Sequence, residues 1–140
     1  MRKIIYGLYW LWSLTWGFIM TLIGLCVALA LLVSGHKPKH LGPNVYFVVG
    51  YNWGGVNFGP VFLTSKIGEN ESKYHESGHG LQNLIWGPLF PFVIAIPSAI
   101  RYWYREFKYY KKGITPPTDY DSIWFEGQAT RWGNKVYNKK

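Results

Sequence analysis

A pair of histidines with a glutamate between them is the strongest sign of chemistry in this sequence. His75-Glu76-Ser77-Gly78-His79 has the spacing H-E-x-x-H. On an α-helix, residues four positions apart lie on one face, so both imidazoles can reach a single zinc ion at about 2.0–2.1 Å. Glu76 lies beside that face, where it can take a proton from a zinc-activated water without binding the metal itself. The pattern predicts a zinc site with His75 and His79 as ligands and Glu76 as general base.

The third ligand of such a site must be a carboxylate. A hydrolytic zinc site uses three protein ligands and a water, and no histidine follows His79. The acids further along the chain are Glu106, Asp119, Asp121 and Glu126. Glu106 lies among cations that can pair with it, and the two aspartates lie where a helix needs an N-terminal cap. Glu126 lies beside an apolar stripe, where a buried carboxylate needs a partner, so we predict Glu126 as the third zinc ligand.

The composition is that of one small, basic and aromatic-rich domain. The chain has 140 residues, a formal net charge of +8 and an aromatic content of 19%. This length leaves no room for a second enzyme module. The single cysteine, Cys26, excludes an internal disulfide and a multi-cysteine metal site, so histidine and carboxylate must hold any metal.

The N-terminal part of the chain is a run of thirty uncharged and mostly apolar residues, from Ile4 to Val33. About 20 apolar residues cross the hydrocarbon core of a bilayer, so the run predicts an uncleaved transmembrane helix with residues 1–34 as the anchor. A cleaved signal peptide is the alternative, but its apolar region is normally only about 7–15 residues long. Cations flank the two ends of the run equally, so the membrane orientation stays open.

The rest of the chain predicts a linker followed by one domain. Residues 35–43 contain two prolines and two glycines, which is typical of a linker. Residues 44–140 then form the predicted metal-binding domain. Val45 to Val49 and Val56 to Leu63 have the β-branched and aromatic content of strands, and the turn between them predicts a β-hairpin.

Two helices are predicted to carry the metal ligands. The first begins within residues 69–72, where acids favour a helix N-terminus, and ends at Gly87-Pro88. Gly78 on its packing side predicts the close approach of another backbone, and the hairpin is the expected partner. The apolar stretch from Leu84 to Ile100 is interrupted by prolines, so it is expected to form buried core or to dip into a membrane face. The last helix, from about Ser122 to Gly133, carries the predicted third ligand.

A basic and aromatic segment follows the apolar stretch. Arg101 to Lys112 holds five cations, one acid and six aromatic residues. Such a segment suits single-stranded nucleic acid, through base stacking, or a membrane surface, where Tyr and Trp lie at headgroup depth and Lys and Arg meet anionic lipid. Because the chain carries a predicted anchor, we expect the lipid bilayer as the partner, with anionic headgroups near this segment, and no nucleic acid.

The ordered motifs also support a family resemblance. His75 to His79 followed by Glu126 in a later helix resembles the gluzincins, which are zinc metallopeptidases with a glutamate as third ligand. More narrowly, the chain is similar to small, poorly characterised, membrane-associated bacterial proteins of zincin-like kind, at Gly54 to Gly59, His75 to Gln82, Gly87-Pro88, Ile96 to Ser98 and Trp124 to Gly133. The resemblance implies an α+β fold in which a minimal zincin-like domain follows the transmembrane helix. The gluzincins often have an acid four residues after the third ligand, which orients a histidine, and here that position is Thr130.

These observations predict a membrane-anchored, zinc-dependent metallopeptidase that hydrolyses a peptide bond with Glu76 as general base. The alternative is a non-catalytic zincin-like protein that binds metal or partners at the membrane. The reaction also needs an oxyanion donor, and the candidates are Tyr74, Tyr102 and Tyr120. An extended peptide is expected to bind by strand addition along Val56 to Phe62.

Overall fold

The computed structural model describes residues 1–138, which form an α+β fold of five α-helices and a four-stranded mixed sheet. The helices are α1 (Arg2–Thr15), α2 (Phe18–Val33), α3 (Glu69–Trp86), α4 (Ile96–Lys108) and α5 (Trp124–Tyr137). The strands are β1 (Lys39–Leu41), β2 (Asn44–Val48), β3 (Gly55–Phe58) and β4 (Val61–Thr64). Strand β1 lies inside the predicted linker.

The prediction of one N-terminal transmembrane helix is wrong. The uncharged run forms two helices, α1 and α2, of 14 and 16 residues, and the chain bends by 106° between them. At 1.5 Å per residue they are about 21 and 24 Å long, less than the roughly 30 Å of a bilayer core. Within residues 1–138 no single helix is long and apolar enough to cross a membrane. Only two bent pairs, Arg2–Thr15 with Phe18–Val33 and Glu69–Leu89 with Pro91–Lys112, reach that length and hydropathy together.

The bend between α1 and α2 follows from their contacts with α3. Gly17 lies at the bend and packs on the side chain of Asn83, which a Cβ at this position would overlap. The indole N–H of Trp12 donates to the carbonyl oxygen of Leu84 at 2.8 Å. The indole N–H of Trp16 donates to the carbonyl oxygen of Ile85 at 3.1 Å. These carbonyls belong to the last turn of α3, where intrahelical donors run out. The bend therefore satisfies backbone groups of a distant helix.

The predicted hairpin between β2 and the following strand is also wrong. The strand order is β1-β2-β4-β3, in which β2 pairs with β4 in parallel and β3 pairs with β4 antiparallel. The tight turn lies at Gly59-Pro60, inside the stretch predicted as one return strand. Gly59 has a φ of 70°, which favours glycine. The hairpin is thus formed one strand later, and it leaves β3 at the edge of the sheet.

Helix α3 has the bounds that the sequence predicts. Gly78, however, packs against α5 and not against the predicted hairpin. A Cβ at Gly78 would overlap the carbonyl oxygen of Ala129, and a Cβ at Gly133 would overlap that of Tyr74. Helices α3 and α5 therefore touch backbone to backbone at two reciprocal glycines, so Gly78 meets α5 and not the hairpin. This close crossing brings the side chains of α5 next to the histidine pair.

We expect Gly78→Ala to lower the free energy of unfolding by about 3 kcal/mol, because the added methyl group must push two backbones apart. Denaturant unfolding of the full chain measures this change as a shift in midpoint at constant slope. Gly7→Ala is the control, since Gly7 lies in α1 and a Cβ added there would meet no atom within 4 Å. It should gain about 0.5–1 kcal/mol. Equal stability of Gly78→Ala and the wild type would contradict the close crossing.

The proline-interrupted stretch supplies much of the core. After α3 the chain forms a 3₁₀ turn at Gly87–Leu89 and a π-helical turn at Pro91–Ala95 before α4 begins. Phe90 and Ile94 join Met20 and Phe125 in the buried apolar cluster. The same stretch leaves Phe92 exposed. It is therefore a core segment on one side and an open apolar surface on the other.

Candidate metal centre

Helices α3 and α5 bring three ligand atoms together. The Nε2 atoms of His75 and His79 lie 3.1 Å apart. Oε2 of Glu126 lies 3.1 Å from the first nitrogen and 3.2 Å from the second. Glu126 is fully buried and His79 nearly so, whereas the side chain of His75 is 18% exposed. These three side chains are close enough to hold a metal ion.

The other candidate acids lie outside this group. Among residues 1–138, Glu106, Asp119 and Asp121 contribute no atom to it. The aspartates also do not cap α5, which follows Ile123 without a side-chain cap hydrogen bond. Within the part of the chain that the structure describes, Glu126 and the histidine pair are thus the group close enough to hold a metal ion.

Two polar side chains fix the orientation of the imidazoles. Nδ1 of His75 lies 2.8 Å from Oγ1 of Thr130, and Nδ1 of His79 lies 2.7 Å from Oε1 of Gln82. An imidazole that binds a metal through Nε2 carries its proton on Nδ1, so it donates to these oxygens. Gln82 is itself held because its amide donates to the carbonyl oxygen of Phe125 at 2.9 Å. Thr130, four residues after Glu126 on α5, thus supplies the hydrogen-bond partner of His75.

We expect Thr130→Val to weaken metal binding about 10- to 100-fold, because the imidazole of His75 loses the acceptor that orients it. Competition with a chromophoric chelator measures the affinity. Thr15→Val is the matched control, since Thr15 is exposed in α1 and bonds only to carbonyls of its own helix. Unchanged affinity in Thr130→Val would show that the histidine needs no orienting partner.

The Glu126 carboxylate is held in its ionised form. Burial by itself would raise its pKa, but hydrogen bonds from His75 and His79 lower the pKa of Glu126 well below its usual range. The hydroxyl of Ser98, in α4, donates to Oε1 of Glu126 at 2.5 Å. One oxygen thus faces the histidines while the other is occupied by Ser98. No local pattern in the sequence selects Ser98, because it reaches Glu126 from another helix. Gln82 lies three residues after His79 on the same helix, so helical spacing could have indicated it.

Glu76 lies next to the ligand group without belonging to it. Its side chain is only 6% exposed and packs on β3, where a Cβ at Gly55 would lie 2.6 Å from Oε1 of Glu76. The backbone carbonyl of Glu76 accepts a hydrogen bond from Nδ2 of Asn57 at 2.8 Å. Burial, with a smaller contribution from Glu126, raises the pKa of Glu76 to about 7. The carboxyl group therefore lies in a confined space between α3 and β3.

An open cleft of about 1410 Å³ runs past these side chains. The residues of β3, the histidine pair, Glu76 and parts of α4 line it. Tyr120 lies in its wall, with its ring centroid 6.1 Å from that of His75. Burial and the Glu126 carboxylate raise the pKa of Tyr120 above its usual range, so its hydroxyl stays protonated at neutral pH. Tyr102 donates to the carbonyl oxygen of Trp53, whereas the Tyr120 hydroxyl lies beside Ser98 and Glu126, next to the ligand group.

Comparison of the chain with protein-family models, curated proteins and solved structures finds no match. The similarity to gluzincins thus depends on the motifs alone and stays a prediction. The convergence of His75, His79 and Glu126 is an independent observation, because it comes from the packing of α3 against α5.

Proposed function

We propose that this chain is a zinc-dependent metallopeptidase. The observation that supports the proposal is that His75, His79 and Glu126 converge beside Glu76 on one open cleft. Two imidazole nitrogens and one carboxylate oxygen are a donor set that catalytic zinc sites use, with a fourth position left open. Donor atoms around a tetrahedral zinc ion lie about 3.3–3.4 Å apart, close to the 3.1–3.2 Å separations found here.

Different side chains around the cleft would carry out different steps of peptide hydrolysis. When bound, zinc supplies Lewis acidity toward a carbonyl group and lowers the pKa of a water toward about 7. The Glu76 carboxylate accepts the proton of the attacking water and passes it to the leaving amine. The Tyr120 hydroxyl donates a hydrogen bond to the oxygen on which negative charge develops. Because His79 and Glu126 are buried, their charges are screened less by water than those of exposed groups, which strengthens these interactions.

The shape of the cleft favours a polypeptide as substrate. Strand β3 lies at the edge of the sheet and lines the cleft beside Glu76. Such an edge binds an extended chain by adding it as a further strand. The cleft of about 1410 Å³ is also larger than the roughly 300–1,000 Å³ typical of small-molecule pockets. A peptide segment therefore suits it better than a small metabolite.

A peptide library tests the proposal without a known substrate. The full chain is loaded with zinc and incubated with proteome-derived peptides, and new termini are identified by mass spectrometry. We expect cleavage at related sites, which stops when a chelator removes the zinc and returns when zinc is restored. A zinc-loaded protein that creates no new termini would overturn the proposal, and the chain would then be a metal-binding protein without hydrolytic activity.

A further inference from the structure

Helix α4 turns an apolar stripe away from the protein. The stripe consists of Ile96, Ile100, Trp103 and Phe107, which are 49%, 65%, 54% and 55% exposed. Their spacing of four, three and four residues places them within about 60° of one another around the helix axis. The apolar stripe of a surface helix normally faces the core. Here four large apolar side chains face outward together.

The opposite side of α4 is cationic and faces the protein. Arg105 is only 4% exposed, donates to the carbonyl oxygen of Thr118 at 2.7 Å and lies over the ring of Tyr120. Arg101 donates to the carbonyl oxygen of Tyr120 at 3.0 Å. The polarity of this helix is thus the reverse of that expected for a water-facing helix, which indicates that its outer surroundings are apolar.

Exposed lysines follow the apolar stripe at its C-terminal end. Lys108, Lys111 and Lys112 are exposed, and Nζ of Lys111 lies 4.2 Å from the ring centroid of Phe107. Aromatic rings beside lysines are typical of headgroup depth in a bilayer with anionic lipid. A second copy of the chain would carry the same net charge of +8, so the approach of two copies is opposed by electrostatic repulsion, whereas anionic headgroups attract the lysines. The charge distribution therefore favours lipid over a second copy.

We propose that the apolar stripe of α4 binds the surface of an anionic phospholipid bilayer, with the three lysines on the headgroups. Two members of the stripe, Ile96 and Trp103, also line the cleft at its edge, together with the neighbouring Ala99 and Tyr102. Binding by this stripe therefore places one wall of the cleft at the bilayer. Where the proposed function holds, the substrates are polypeptides borne by a membrane and cut close to the lipid surface.

Spin labels test where the stripe lies. The single cysteine is removed by Cys26→Ser in the full chain. Two variants, Ile100→Cys and Ile67→Cys, are then each labelled at the introduced thiol. These isoleucines are matched in exposure, at 65% and 58%, but Ile67 lies in the loop before α3. In vesicles of phosphatidylcholine and phosphatidylglycerol, we expect the Ile100 label to be reached by oxygen and shielded from an aqueous nickel complex, and the Ile67 label to be reached by nickel. Equal access of nickel to both labels would overturn the proposal, as would spin–spin broadening at Ile100, which indicates a second copy.

The lysines test the choice of lipid. Lys111→Gln and Lys112→Gln should each weaken partitioning onto vesicles that contain phosphatidylglycerol about fivefold, with little effect on pure phosphatidylcholine. Lys66→Gln is the control, because Lys66 is exposed in the loop after β4. Equal partitioning of the Lys111 variant, the Lys112 variant and the control would overturn the assignment of the lysines to anionic headgroups.

The substrate class has its own test. A cleaved peptide from the library is prepared with and without an acyl chain, and both forms are offered with vesicles. The acylated form should be cleaved at least about tenfold faster, because the bilayer raises its effective concentration at the cleft. Equal rates would overturn the membrane-borne substrate. Absence of cleavage of either form would refute the hydrolase, while the label at Ile100 still reports lipid binding independently.

Discussion

Glu126→Gln is expected to weaken zinc binding more than about 100-fold, with loss of the metal from the purified protein. The substitution keeps the size of the side chain but replaces the anionic oxygen beside His75 and His79 with a neutral amide. A zinc concentration of about 100 times the Kd stabilises the wild type by about 2.7 kcal/mol, whereas a variant with a roughly 100-fold higher Kd gains only a few tenths. Zinc content and the zinc-dependent rise in Tm measure the two effects.

The control for this variant is Glu106→Gln. Glu106 is an acid of α4 outside the ligand group, so its variant should bind zinc as the wild type does. Wild-type zinc affinity in Glu126→Gln would contradict the assigned centre, and it would direct attention to Asp119 and Asp121 as the source of the third ligand.

Glu76→Gln is expected to lower the rate of peptide cleavage about 10²- to 10⁴-fold while zinc stays bound. The amide fills the same space against Gly55 but cannot accept a proton from the attacking water. Since Glu76 lies outside the ligand group, its replacement leaves the three donor atoms in place. The measurement is kcat/KM on a peptide from the library, with zinc content determined on the same sample.

Two further variants make this result specific to the Glu76 carboxylate. Glu106→Gln changes a glutamate that does not line the cleft and should cleave at the wild-type rate. Gly55→Ala leaves Glu76 intact but adds a methyl group 2.6 Å from its Oε1, so it should displace the carboxylate and reduce the rate. A Glu76→Gln protein with undiminished activity would rule out Glu76 as the general base.

The parts of the site that the sequence predicts lie where local rules apply. The spacing of His75 and His79 is a property of one helix, and acids and a Gly-Pro pair mark the ends of that helix. Glu126 is predicted because a carboxylate beside an apolar stripe needs a partner when it is buried. The structure buries it completely and places the histidine pair against it.

Tertiary contacts decided the features that the sequence did not predict. The uncharged run has the length and hydropathy of one long helix. The contacts of Trp12 and Gly17 with the end of α3 instead bend the run into two helices. The predicted hairpin failed for a similar reason. Val61 to Thr64 pairs with both β2 and β3, and strand content along the chain does not specify which strands become neighbours. Ser98 and Thr130 also reach the centre only through the packing of their helices.

The amino-acid sequence by itself predicted which side chains form the group that could hold a metal ion, namely two imidazoles and a carboxylate in helical segments. It also determined a high content of apolar and aromatic residues. Only the tertiary structure decided how these features meet. The glycine contacts between α3 and α5 set the distance from Glu126 to the histidines, and the inward arginines of α4 turn its apolar stripe outward. Both depend on contacts between residues far apart in the chain, which helical periodicity cannot encode.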